Sequence, residues 1–249
     1  MGGPRFRGAG AARFMSMWKF VVAAVGSAAL AWSAPVAPSH AAPSRLTQLP
    51  LTVLPAPGAG DTLSVFYSGD GGWAPADQGM TDPFVHAGIP VVGVNSLTYF
   101  IVRKSPDEAA ADLTLVLRHY MAAWGKSRIM LGGYSFGAGA LPLIIPKLPA
   151  DLRSRIRLVA LVDPEKAGEL QIWPGDWLNI TAADAAPLLP RMEQMKGTPM
   201  VCIYGSQEPN AACAALPLGL ARSVRVPGGH HYGGDYGTVG RAILTSLPR

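Results

Sequence analysis

The sequence predicts an α/β fold with a mainly parallel central sheet flanked by helices. Two observations carry this expectation. Short apolar runs at 51–54, 63–67, 90–94, 128–132, 158–162, 200–204 and 223–226 have the length of strands, most of them apolar enough for burial on both faces. Between them lie stretches with helical spacing or helix-start chemistry, and strands that alternate with helices build parallel sheets.

The chain of 249 residues opens with Arg5, Arg7, Arg13 and Lys19, followed by a small and largely apolar stretch from Phe20 to Trp32. This is the pattern of a secretory leader. Ser39-His40-Ala41 offers the small residues a signal peptidase reads, so 1–41 is taken as a signal peptide and an exported protein is expected. Residues 42–50 read as a proline-containing tail. Residues 51–249 then form one domain, of a size that supports a single sizeable core.

Within the domain, Ser105-Pro106-Asp107-Glu108 combines an N-cap serine, a proline at the first helical position and the glutamate of a capping box. Leu113, Val116, Leu117, Tyr120 and Trp124 follow at helical spacing as its buried stripe. Ala138 to Ile145 is apolar enough for a buried helix that Pro146 ends. Residues 164–190, with Trp173-Pro174-Gly175-Asp176-Trp177, read as an inserted loop of the kind that covers a site, and Tyr236 to Leu247 as a last helix.

The chemistry centres on Gly133-Tyr134-Ser135-Phe136-Gly137, a G-x-S-x-G sequence directly after the apolar run 128–132. In a nucleophile elbow the serine sits on a strained strand-to-helix turn, and small flanking residues let the backbones pass. Ser135 is therefore the candidate nucleophile. A serine hydroxyl needs a base near neutral pH, and His230 and His231, in the glycine-rich loop Pro227 to Tyr232, are the candidates. His231-Tyr232 resembles the His-aromatic pair of dienelactone-hydrolase-like enzymes. Gly-Gly-His resembles thioesterases and points to His230. His231 is the first choice.

The acid that orients the histidine is expected after a late strand. Glu208, following the run 200–204, gives the order Ser, acid, His of an α/β-hydrolase, with Asp163 as the rival at the end of run 158–162. Asp235 falls outside that order. For the oxyanion the Phe136 amide is one donor, and the loop Ser68-Gly69-Asp70-Gly71-Gly72-Trp73 is expected to give a second from Asp70 or Gly71. A phosphate-cradling loop is disfavoured because no Lys-Ser/Thr follows. The Asp70 carboxylate and Trp73 are candidates for contacting the substrate.

Four of the 21 basic side chains and none of the 16 acidic ones lie in the leader, so the remainder is close to neutral and no nucleic-acid surface is expected. Arg153, Arg155 and Arg157 alternate as if on the exposed face of an entering strand. Cys202 and Cys213 are the two cysteines; in an exported chain they are expected to pair, tying down the loop that carries Glu208. Further metal ligands are lacking around them, and neither metal nor cofactor is expected.

Taken together, Ser68 to Trp73, Gly132 to Ala138, Cys202-Ile203-Tyr204-Gly205 and Pro227 to Tyr236 resemble the VirJ/AcvB virulence-protein family, over residues 50–247. The resemblance implies a periplasmic α/β-hydrolase that cleaves the aminoacyl ester of aminoacylated phosphatidylglycerol, chiefly the lysyl form. It assigns Ser135 as nucleophile, Glu208 as acid and the base to the His230-His231 pair. Gln207-Glu208-Pro209-Asn210 stands where similar proteins are more acidic. The chain resembles the shorter VirJ form, which lacks the long N-terminal domain of AcvB. Expected partners are the aminoacylated phospholipid at the periplasmic membrane surface and, because VirJ-type proteins are linked to type IV export, secretion-system proteins. The chain itself is expected to be a monomer.

Overall fold

The structure is a computed structural model that describes residues 44–173, 185–208 and 211–248. The expected leader lies outside them, as do residues 174–184 of the expected inserted loop. In chain order the elements are β1 (Leu51–Leu54), β2 (Thr62–Tyr67), α1 (Pro75–His86), β3 (Val91–Val94), α2 (Ser96–Phe100), α3 (Pro106–Ala123), β4 (Arg128–Tyr134), α4 (Phe136–Ile144), α5 (Ala150–Arg153), β5 (Ile156–Val162), β6 (Ala167–Gly168), β7 (Ala186–Pro187), α6 (Leu188–Glu193), β8 (Met200–Gly205), β9 (Arg222–Val226) and α7 (Tyr236–Ser246).

Seven strands form one sheet in the order β1-β3-β2-β4-β5-β8-β9. Every pairing is parallel except that of β1 with β3. The apolar runs become strands because alternate residues serve opposite faces. Val65, Leu131 and Val159 pack under α3 and α4 with Leu113, Leu117, Leu141 and Ile144, while their neighbours Phe66, Met130 and Leu158 pack under α1 and α7 with Phe84, Val239 and Ile243. One sheet thus separates two cores. Its parallel strands end along a single edge, where the loops after β2, β4, β5, β8 and β9 gather.

α3 begins with the expected capping box: Ser105 Oγ accepts the Glu108 amide, and Glu108 accepts the Ser105 amide in return. α1 has no comparable signature. Its N-cap is Ala74, which has no side-chain oxygen, and Pro83 lies inside it; Asp77 caps it by accepting the Ala74 amide at 2.9 Å.

Two expectations are corrected, and the tail proves to be fastened to the domain. The tail is docked from residue 44 onward, because Asp112 is a buried carboxylate on α3 that requires a partner. Arg45 grips it with two hydrogen bonds of 2.8 and 2.7 Å, Tyr99 donates a third at 2.8 Å, and Leu46 and Leu49 pack on the core alongside. Burial works against the charge, yet these bonds hold the Asp112 carboxyl below its ordinary value. The flanks of the expected inserted loop are likewise built in: β6 pairs with β7, and Leu170 and Ile172 are buried. The arginines do not alternate on a strand, since Arg153 ends α5 and only Arg157 lies within β5. Cys202 and Cys213 form a disulfide with an S–S distance of 2.07 Å.

Candidate active site

Ser135 stands between β4 and α4 with φ 51° and ψ −114°. A non-glycine residue in such a region costs about 1–3 kcal/mol and persists only where its surroundings over-determine it. Here the Ser135 amide donates to Val162 O at 2.8 Å, and its carbonyl accepts from Gly139 at 3.1 Å. The glycines on either side are obligatory: a Cβ on Gly133 would lie 2.5 Å from the Gly137 carbonyl carbon, and one on Gly137 2.5 Å from the carbonyls of Tyr67 and Ser68. β4 therefore turns against the end of β2, presenting a largely buried serine, 9% exposed, at the sheet edge.

The imidazole that reaches it is His230, with Nε2 3.1 Å from Ser135 Oγ. This corrects the preference for His231, whose Nδ1 instead lies 3.1 Å from the Tyr134 hydroxyl. That hydroxyl also donates to the His230 carbonyl at 2.9 Å, and the Tyr134 ring stacks on the His230 ring. Tyr134, the residue before the serine, thus braces both histidines. Burial pushes its phenol well above the ordinary range, so it remains a neutral donor.

The carboxylate beside the imidazole is Asp163. Its Oδ2 lies 3.7 Å from His230 Nδ1 and makes no hydrogen bond among the described residues. Glu208, the expected acid, accepts the main-chain amide of His230 at 3.0 Å and so holds the loop. The reason is register. β5 ends at the sheet edge with Asp163 at φ 47°, its amide bound to Ile203 O at 2.7 Å, which projects the side chain inward; Glu208 is set back on a turn hydrogen-bonded to the histidine loop through Gln207 N and Gly228 O at 2.9 Å. Burial raises the Asp163 carboxyl above its ordinary value, against the opposing pull of Tyr232 and His230.

Phe136 is the first residue of α4, so its amide has no acceptor within the helix. The loop after β2 passes the elbow at Gly69, where a Cβ would be 3.8 Å from that of Ser135; Gly71 is exposed and farther out. Residues that sequence reasoning missed fix this loop. Ser96 on α2 donates its amide to Ser68 Oγ at 2.9 Å and its hydroxyl to Ser68 O at 2.7 Å. Beneath the loop is Asp77, 1% exposed, whose carboxyl burial raises to about 6 against lowering bonds from the amides of Ala74, Asp77 itself and Gly69. Asp70, which follows Gly69 in this loop, is half-buried, with no hydrogen bond or ion pair among the described residues. Trp73 is not at the mouth: its ring packs edge-on to Phe66 and fills the space over Gly93.

The chain matches the family described as bacterial virulence protein (VirJ) over residues 61–249. Among solved structures it is similar to Est1E from Butyrivibrio proteoclasticus, with 13% identity, a TM-score of 0.51 and coverage of 79% of this chain and 92% of that one. It is also similar to the esterase domain of a Rhodothermus marinus protein, at 16% identity, TM-score 0.52, and 78% and 89% coverage. Proline iminopeptidase from Mycobacterium smegmatis aligns at 11% identity, TM-score 0.53, and 79% and 94% coverage. No curated protein sequence matches the chain. These likenesses establish the α/β-hydrolase fold.

Proposed function

The chain belongs to the VirJ family of bacterial virulence proteins, and from that premise we propose that it is a periplasmic serine hydrolase that cleaves the aminoacyl ester of aminoacylated phosphatidylglycerol, lysyl or alanyl. The observation that carries the hydrolase reading is the strained Ser135, 3.1 Å from His230 Nε2, with Asp163 behind the imidazole. In this reading His230 takes the Ser135 proton as Oγ attacks the ester carbonyl. Asp163 orients the ring and stabilises the imidazolium, and Glu208 positions the main chain of His230. The Phe136 amide and an amide of the 69–71 loop, Asp70 in particular, receive the oxyanion. His230 then protonates the departing glycerol oxygen, leaving an aminoacyl-serine that water hydrolyses to the free amino acid.

The aminoacyl substrate is supported by the Asp70 carboxylate, which has no ion-pair partner among the described residues and suits an ammonium group. Asp70→Asn preserves the loop and removes the charge. The comparison is kcat/KM for a lysyl ester and for an uncharged ester of similar size. A loss on the order of tenfold or more confined to the lysyl ester supports aminoacyl recognition. Equal losses on both would mean that Asp70 only shapes the loop. Lipid extracts with and without the protein extend the test to the membrane, where accumulated aminoacyl lipid in its absence is expected.

A further inference from the structure

Ile101 and Val102 are 63% and 66% exposed. They form the tip of the connection between α2 and α3, and both ends of that tip are pinned: Phe100 O accepts the Ile172 amide at 2.8 Å, and the Lys104 amide donates to Leu170 O at 2.9 Å. A tip held this way does not fold its aliphatic side chains back onto the core. Among the described residues the other large exposed apolar side chains are Val53, Leu189 and Leu218, far from one another in the chain.

The tip belongs to the rim of the candidate site. α2 follows β3 at the same sheet edge as Ser135, its first residue Ser96 bonds Ser68 of the oxyanion loop, and its last residue Phe100 packs on Phe136 with ring centroids 5.3 Å apart. Arg103 and Lys104 follow the aliphatic pair directly. An apolar tip backed by cations matches the depth order of an anionic bilayer, with acyl chains beneath phosphates. Two side chains are far too little surface for a stable protein partner, which needs about 800 Å² on each side.

We propose that Ile101-Val102 enters the headgroup–acyl boundary of an anionic phospholipid bilayer while Lys104 meets its phosphates, setting the mouth of the site on the membrane. The inference rests on the lipid-ester reading and deepens it, and Ser135→Ala separates the two because it binds without turnover. The full chain carrying Ser135→Ala is mixed with vesicles of phosphatidylglycerol or of phosphatidylcholine alone. Tighter binding to phosphatidylglycerol is expected, and adding Ile101→Ser with Val102→Ser lowers that affinity on the order of tenfold. Val102→Trp, in the same background, gains emission that shifts to the blue and is quenched by brominated phosphatidylglycerol. The N-terminal segment is common to all variants, so these differences report the tip. Equal binding by the double serine variant, or emission from Val102→Trp that brominated lipid leaves unchanged, overturns the proposal. Intact vesicle binding by a wild-type chain inert toward aminoacyl lipid would overturn the substrate reading alone.

Discussion

His230 and His231 sit side by side in the sequence, yet their rings meet different partners. His230→Ala is expected to reduce ester turnover as severely as Ser135→Ala, by several orders of magnitude, whereas His231→Ala, which removes only a brace on Tyr134, costs about tenfold or less. Steady-state kcat on a soluble ester checks both, and the reverse ranking would return the role to His231. The carboxylates separate in the same way. Asp163→Asn leaves the imidazole without its charge and is expected to lower kcat by about three to four orders of magnitude, while Glu208→Gln keeps an oxygen for the His230 amide and costs far less. Ser135 is legible in the sequence because the elbow motif is local. The choice of histidine and acid is not, since it depends on where β5, β8 and β9 end against one another. Asp77 was equally hidden, and it makes a pH prediction. Its carboxyl is raised from the ordinary 3.8 to about 6, so the folded state binds the proton more tightly than the unfolded chain. That stabilisation is full below about pH 4 and is lost as pH rises through 6, at most about 3 kcal/mol. Asp163 acts in the same direction, so Asp77→Asn should flatten only part of the fall. Urea midpoints from pH 4 to 7 measure it, and profiles that stay parallel would contradict it.

At the scale of elements, the strands are legible because they are short apolar runs, or in β9 an alternation of valine with polar residues, and α3 because its cap and stripe are both written in adjacent residues. α1 escapes for the opposite reason: Ala74 is no cap by itself, and Pro83 lies within the helix. The docked tail escapes because the need for Arg45 arises from Asp112, far along the chain. The Cys202–Cys213 bridge joins β8 to the turn beyond the Glu208 loop. Closing a loop of this length contributes about 3 kcal/mol in the chain-entropy view, and its removal in a Cys202→Ala, Cys213→Ala variant is expected to lower Tm by about 6–12 °C. Turnover should fall with it at temperatures below the transition, because the tether steadies the segment that holds the His230 main chain. An unchanged Tm would mean that the bridge is dispensable to the native packing.

For the molecule as a whole, one mainly parallel sheet brings the ends of β2, β4, β5, β8 and β9 to a common edge, and this is why residues as distant in sequence as Ser68, Ser135, Asp163 and His230 meet there. The fold class was readable from alternation alone. Substrate recognition was less so, as Trp73 illustrates: a tryptophan beside a glycine-rich loop reads as a substrate contact, but the space above Gly93 claims it for the core. The central claim is that this edge activates Ser135 through His230. It is tested most directly by treating the protein with a fluorophosphonate probe and mapping the adduct by mass spectrometry. A single adduct on Ser135 is predicted, absent in Ser135→Ala and slowed by at least about a hundredfold in His230→Ala. No adduct, an adduct on another residue, or labelling of Ser135 at an undiminished rate in His230→Ala would contradict it.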